Sequence, residues 1–173
     1  MSKLTRRSRM SSQSRRGVRT ATALGAASLG LVALSACDKP TPMVTATVGS
    51  DSVTTEAACY DDGKALPQAE VRKCLSKKAD KTVSVSTGDK LRLGVDPETG
   101  DHGWLVLVDG KPALPEPVKK TYYSLPGEAF FQSQSAQGQP SAPKKSVQIS
   151  IVETSGGDFK GIWHFTLKST TTD

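Results

Sequence analysis

Long apolar runs are missing from this 173-residue chain. Its one sustained apolar stretch, Thr20 to Ala36, is 17 residues rich in Ala and Gly. That is too short and too weakly apolar for a permanent transmembrane span. Histidine is nearly absent, with only His102 and His164, and neither sits at finger-like spacing from a cysteine, which disfavours a zinc site. There is no Gly-x-Ser-x-Gly elbow, no glycine loop that would cradle a phosphate, and no His-Glu-x-x-His. These absences remove the common sequence signatures of serine hydrolases, nucleotide-binding enzymes and zinc proteases.

Acidic residues are missing from the first 36 positions, and this changes what the charge means. Seven of the 23 Lys and Arg residues (Lys3, Arg6, Arg7, Arg9, Arg15, Arg16 and Arg19) and none of the 17 Asp and Glu precede Cys37. The remainder therefore carries 16 basic against 17 acidic residues, a net charge of −1, although the whole chain stands at +6. A near-neutral domain gives no reason to expect a nucleic-acid partner. The one local basic cluster, Arg72, Lys73, Lys77, Lys78 and Lys81, is broken by Asp80 and reads as a solvated face.

A basic segment, an apolar segment and then small residues form the layout of an export signal. The stretch Leu34-Ser35-Ala36-Cys37 resembles a bacterial lipobox. That resemblance to lipoprotein precursors implies cleavage after Ala36 and a diacylglyceryl group on the Cys37 sulfur. Two acyl chains anchor firmly where one is marginal, since each buried methylene contributes about 0.8 kcal/mol. The expected organisation is a signal peptide over residues 1–36, a lipidated cysteine and tether over 37–42, and one domain over 43–173. The expected location is the extracytoplasmic face of the cell membrane. Ser14-Arg15-Arg16-Gly17-Val18-Arg19 also resembles a twin-arginine export signal, with Val18 where a bulkier apolar residue is usual. Met10 is an alternative start.

With Cys37 assigned to lipid, Cys59 and Cys74 remain as a pair in a compartment where disulfides persist. Closing a loop of about 15 residues stabilises a fold by roughly 3 kcal/mol in the chain-entropy model. A blue-copper site would need two histidines, a free thiolate and usually an axial sulfur. Recruiting Cys59 or Cys74 would strand its partner, and Met43 is the only methionine after the leader. No metal and no cofactor are expected.

Beyond the Pro40-Thr41-Pro42 tether the chain reads as short strands separated by turns. Val44, Ala46 and Val48 alternate with threonines, and Ser52 to Thr55 follows across Gly49-Ser50-Asp51, which predicts a hairpin. Alternation recurs over Thr82 to Ser86, Leu91 to Val95, Val147 to Ile151 and Ile162 to Leu167. Trp104 to Val108 is apolar throughout, the pattern of a central strand covered on both faces, and Asp109-Gly110 supplies a hairpin turn. Thr121-Tyr122-Tyr123 predicts a further strand. Only Ala69 to Ser76 has helical spacing. The expectation is an all-β, immunoglobulin-like sandwich of about seven strands with one short helical turn and a flexible polar loop over residues 132–145.

Candidate chemistry is sparse. His164 lies on the strand face opposite Trp163 and Phe165 and reads as half-exposed and structural; His102 sits in a loop beside Trp104, with Asp96, Glu98 and Asp101 nearby. Tyr122, Tyr123, Phe130 and Phe131 read either as core or as an exposed ligand patch. Asp96-Pro97-Glu98-Thr99-Gly100, followed by His102 and Trp104, is a possible binding loop. It faintly resembles the Asn-Pro-Thr-Thr-Gly loop of chagasin-like cysteine-protease inhibitors, which implies insertion into a protease cleft. Asp96 departs from that pattern, Asp101-His102 replaces an aromatic, and no Arg-Pro-Trp follows. The competing reading is a turn that ends a strand.

Across the domain the order of features is similar to a group of actinobacterial lipoproteins of a domain-of-unknown-function family. The residues that carry the similarity are Leu34 to Cys37, Val44 to Gly49 with Ser52-Val53, Cys59 and Cys74, Gly94 to Pro97 with Gly103-Trp104, and Gly161 to Phe165. The resemblance implies a membrane-anchored envelope protein and no catalytic residues. The expected function is a non-enzymatic binding or accessory module with an envelope protein or cell-wall ligand; the alternative is the protease inhibitor.

Overall fold

The computed structural model describes residues 41–134 and 140–170. Cys37, its lipobox and the leader lie outside the described residues, as does the centre of the polar loop. The β-branched alternation seen in the sequence folds as strands. These are β1 (Val44–Val48), β2 (Asp51–Thr55), β3 (Cys59–Tyr60), β4 (Thr82–Val85), β5 (Lys90–Val95), β6 (Trp104–Val108), β7 (Lys111–Pro112), β8 (Tyr122–Pro126), β9 (Ser133–Gln134), β10 (Pro140–Ser141), β11 (Ser146–Ser155) and β12 (Asp158–Ser169).

Two sheets form an all-β sandwich. Sheet A runs β2-β1-β5-β8; sheet B runs β3-β12-β11-β6-β7, with β4 joining β12 in parallel beyond β3. Seven strands make the frame: β1-β5-β8 in one layer and β4-β12-β11-β6 in the other. That arrangement, with a parallel strand alongside the last one, is immunoglobulin-like. The strands β2, β3 and β7 are additions at its edges, and β9 with β10 makes a separate short hairpin.

Between the sheets, inward residues of β1 and β5 (Val44, Ala46, Leu91, Leu93) meet Val106, Ile149, Ile151, Trp163, Phe165 and Leu167. Outside sheet B lies a second apolar cluster, the second cover that the apolar run Trp104 to Val108 called for. There Leu107, Val152 and Ile162 are covered by Leu66, Val71 and Cys74. Val71 and Cys74 come from helix α1 (Gln68–Leu75), within a residue of its predicted span. This cover is the reason Trp104 to Val108 and Ile149 to Val152 carry apolar residues on both faces.

Helix content exceeds the single predicted turn. Pro97–His102 forms a second helix, α2, and Gly127–Phe130 a 3-10 turn. The loop 132–145 begins and ends in the β9–β10 hairpin, and its far end is pinned where the Lys144 backbone N–H donates to the Phe131 carbonyl at 2.9 Å. No helix among the described residues is long and apolar enough to cross a membrane.

Candidate functional site

The segment Asp96 to Trp104 is a lid over one end of the sandwich, not a protruding loop. Asp96 precedes Pro97 at the first helical position, where a missing N–H costs nothing. The Asp96 carboxylate accepts from the Met43 backbone N–H at 3.1 Å, tying α2 to the start of β1. Thr99 (1% exposed) and Gly100 face inward, and Trp104 is wholly buried, its indole N–H donating to the Lys120 carbonyl at 2.8 Å. A side-chain carbon on Gly100 would stand 3.0 Å from the Thr121 nitrogen. A wedge for a protease cleft needs these residues free, and three of them are packed inside the domain. Asp96, Pro97, Glu98 and Asp101 stay exposed.

Beneath the lid lies a buried carboxylate. Glu153 is 2% exposed and sits opposite Trp104 on β6 and Gly161 on β12, at a register shift in β11. Its oxygens accept from the Thr99 hydroxyl at 3.2 Å and meet His102 Nδ1 at 2.5 Å. A carboxylate taken from water must keep its hydrogen bonds, and α2 supplies both. The carboxylate that holds His102 therefore comes from a strand 51 residues away, not from Asp96, Glu98 or Asp101. The sequence signal for Glu153 was available: a lone acid directly after Ile151-Val152, on the inward period of Ile149 and Ile151.

Tyr60 borders the same end. Its ring lies 6.4 Å from that of Trp163. Burial first, then the negative fields of Glu153, Glu98, Asp62 and Asp96, push its phenol above the ordinary value of 10.0, so it stays protonated. The close approach of β12 to this corner depends on Gly161, because a side-chain carbon there would fall 2.3 Å from the Trp163 ring.

The two predicted disulfide residues are joined. Cys59 on β3 and Cys74 on α1 form the Cys59–Cys74 bond, with Cα atoms 6.1 Å apart. It staples α1 over the second apolar cluster. Cys59, Cys74 and Glu70 form a cluster of metal-ligand type, but two sulfurs bonded to each other offer no thiolate. The Lys77 ammonium donates to the Ala58 carbonyl at 2.6 Å and lies 3.4 Å from Cys59 Sγ, closing the loop beside the bond.

His164 is buried at 4% exposure, not half-exposed as its place on the strand suggested. Helix α1 is the reason: it covers the outer side of β12. The imidazole Nε2–H donates to the Cys74 carbonyl at 2.9 Å and Nδ1 accepts from the Ser150 hydroxyl at 2.9 Å. Burial dominates and pushes its pKa below 6.5, so the ring is neutral. With both nitrogens occupied inside the protein, His164 links β11, β12 and α1.

A groove of about 560 Å³ runs between Thr54–Ala58 and Lys78–Lys81 with His164 at its floor, and a shallower one of about 390 Å³ flanks the disulfide. Neither is lined by His102. Of the four aromatics near the polar loop, Phe130 and Phe131 are core and Tyr123 faces it, whereas Tyr122 stands 51% exposed. Comparison of the chain with protein-family models, with curated proteins and with solved structures returned no match.

Proposed function

We propose that the protein is a lipid-anchored component of the cell envelope whose β-sandwich binds a ligand and carries out no chemistry of its own. The observation that carries this reading is the lipobox Leu34 to Cys37 set directly ahead of a disulfide-stapled domain. An extracytoplasmic location supports both features, since the acyl anchor and the Cys59–Cys74 bond each belong to the oxidising side of the membrane. Four residues, 38–41, separate Cys37 from Pro42, whose carbonyl already accepts from the Trp163 indole N–H at 2.9 Å.

The test is Cys37→Ser in the full chain, followed by detergent phase partition and by fractionation of membrane and medium. The wild type enters the detergent phase and the membrane fraction, and the variant is released into the medium. A variant that stays with membranes as the wild type does would overturn the reading.

A further inference from the structure

The outer face of sheet A has no cover among the described residues, and its chemistry is uniform. Register places two rows of four side chains across it. Thr54, Thr45, Gly94 and Tyr122 form one row; Ser52, Thr47, Arg92 and Ser124 form the other. The rows lie about 7 Å apart and the face is about 14 Å across four strands.

Three observations on this face go together. The hydroxyls are paired side by side, Thr45 with Thr54 at 3.0 Å and Thr47 with Ser52 at 2.8 Å, each keeping further hydrogen-bonding capacity toward solvent. Within the two rows the only charge is Arg92; one position beyond on β5 stands Lys90, and beyond the opposite end stand Glu56 and Asp96, the latter already accepting from the Met43 N–H. Among the described residues the Arg92 guanidinium has neither a hydrogen-bond nor an ion-pair partner, although the residue is half-buried. This contrasts with the lid end, where Glu153, Glu98, Asp62 and Asp96 surround Tyr60.

The third observation is Gly94. Its backbone is not left-handed, and a side-chain carbon there would meet only the Thr45 and Thr121 carbonyl oxygens, both at an ordinary 3.9 Å. Neither conformation nor packing demands glycine, yet glycine weakens a strand interior, where it marks a bulge, a bend or the close approach of a ligand or another backbone; the register here is unbroken. The missing side chain leaves a shelf between Thr45 and the exposed ring of Tyr122.

We propose that this face binds an acidic glycan, a chain of sugars bearing carboxylate or phosphodiester groups. The sugar ring lies on the Gly94 shelf against the Tyr122 ring, whose apolar face and polar tip suit an amphipathic partner. The Arg92 fork takes the anionic group in the planar, two-point geometry that guanidinium offers and ammonium does not. The threonine and serine hydroxyls meet the sugar hydroxyls. The inference rests on the reading of the chain as an envelope binding module and names the ligand class for it.

The experiment uses the full chain in mild detergent, with surface-coupled polygalacturonate, phosphomannan (a sugar polymer bearing phosphodiesters) and neutral dextran as probes. Binding to one or both acidic polymers, weakening with added salt and absent on dextran, is the expected result; which acidic polymer binds distinguishes carboxylate from phosphate. Arg92→Gln and Tyr122→Ala each weaken it about tenfold or more, Gly94→Val fills the shelf and does the same, and Lys73→Ala on α1 leaves it unchanged. Thermal melts of each variant separate lost binding from lost folding; Tyr122 is exposed, and Arg92, though half-buried, is not among the residues of either core cluster. No binding to either acidic polymer, equal binding to dextran, or binding indifferent to Arg92→Gln and Tyr122→Ala would each overturn the proposal. Detergent partition of the same preparation reports the anchor separately, so a failed glycan test with an intact anchor sinks only this inference.

Discussion

The two sheets of this sandwich present opposite outer faces. Sheet B is roofed: α1, Leu66 and the Cys59–Cys74 bond lie over Leu107, Val152 and Ile162. Sheet A is bare, and its outward positions are threonine, serine, glycine, arginine and tyrosine, with Lys90 and Pro126 at one end. Both inner faces share one core, so the difference is not about closing the fold. Covering one sheet costs a helix, a disulfide and a buried histidine network; the other sheet stays soluble by its own polar rows. The proposed ligand would find an open polar face on sheet A and a packed one on sheet B.

Mutations that break the roof have the largest expected effect. Ile162→Ala removes a wholly buried side chain between sheet B and α1 and lowers stability by about 3 to 4 kcal/mol, within the range for such truncations. Urea unfolding monitored by tryptophan fluorescence measures it. A loss below about 1 kcal/mol would mean that α1 does not pack on the sheet as described.

The disulfide comes next. Cys59→Ser with Cys74→Ser frees α1 from β3 and costs roughly 3 kcal/mol, the value for a loop of about 15 residues. Cys74 is almost wholly buried at 1% exposure. An attacking thiol is restricted to Cys59, and the sulfur that must leave as thiolate lies in an apolar site, which slows the exchange. In native conditions the bond therefore resists millimolar dithiothreitol and opens once the chain unfolds, which timed alkylation of free thiols detects.

How much of this was legible depends on which contacts a strand can reveal. Period-2 alternation in Val44 to Val48, Leu91 to Val95 and Val147 to Ile151 marks inward faces, and those strands fold as read. The Cys59–Cys74 pair followed from counting cysteines. That a cover exists was legible in Trp104 to Val108, apolar on both faces; what forms it was not, because alternation cannot tell that a helix of eight residues returns over the outside. His164 looks half-exposed on its strand for the same reason. Pro and Gly within Pro97 to His102 signal a turn; Asp96 fastened to Met43, and Thr99 bonded to Glu153, hold it helical instead. The outward rows of sheet A were present in the sequence as alternating polar residues. Only register shows that Gly94 stands beside Tyr122.

The buried imidazole gives the roof a pH dependence that the bare sheet lacks. His164 in the folded protein takes a proton only below its ordinary value of 6.5, because burial opposes the charge. In the unfolded chain it takes one near pH 6.5. The unfolded state therefore binds more protons as pH falls through that value, and stability declines with it. The decline stops below the folded pKa, where both states are protonated. Melting temperature drops between pH 7.5 and about 5.5 in the wild type, and His164→Gln flattens that limb while lowering stability at neutral pH. Asp109 acts in a separate window. Burial opposes its charge, but the Lys144 ammonium and the Gln148 N–H outweigh that and hold its pKa below 3.8. Its contribution is present above the unfolded carboxylate pKa and lost in stronger acid. A wild-type profile flat from pH 7.5 to 5.5 would contradict the buried, neutral assignment of His164.

The smallest effect belongs to sheet A. Thr45→Ala and Thr47→Ala each remove one hydroxyl of a pair on a face open to solvent. The surviving Thr54 or Ser52 hydroxyl, both exposed, turns to water, so no polar group is left buried and unmade. The expected loss is a few tenths of a kcal/mol up to about 1, the range for cross-strand pairs. Thr45→Ala with Thr54→Ala together costs no more than the two singles added, because the pair supports only itself. A cost of several kcal/mol in urea unfolding would show that these rows hold the sheet together. A cost near zero would show that the hydroxyl pairs do not hold the sheet together, and that threonine stands there as a strand-forming residue compatible with solvent.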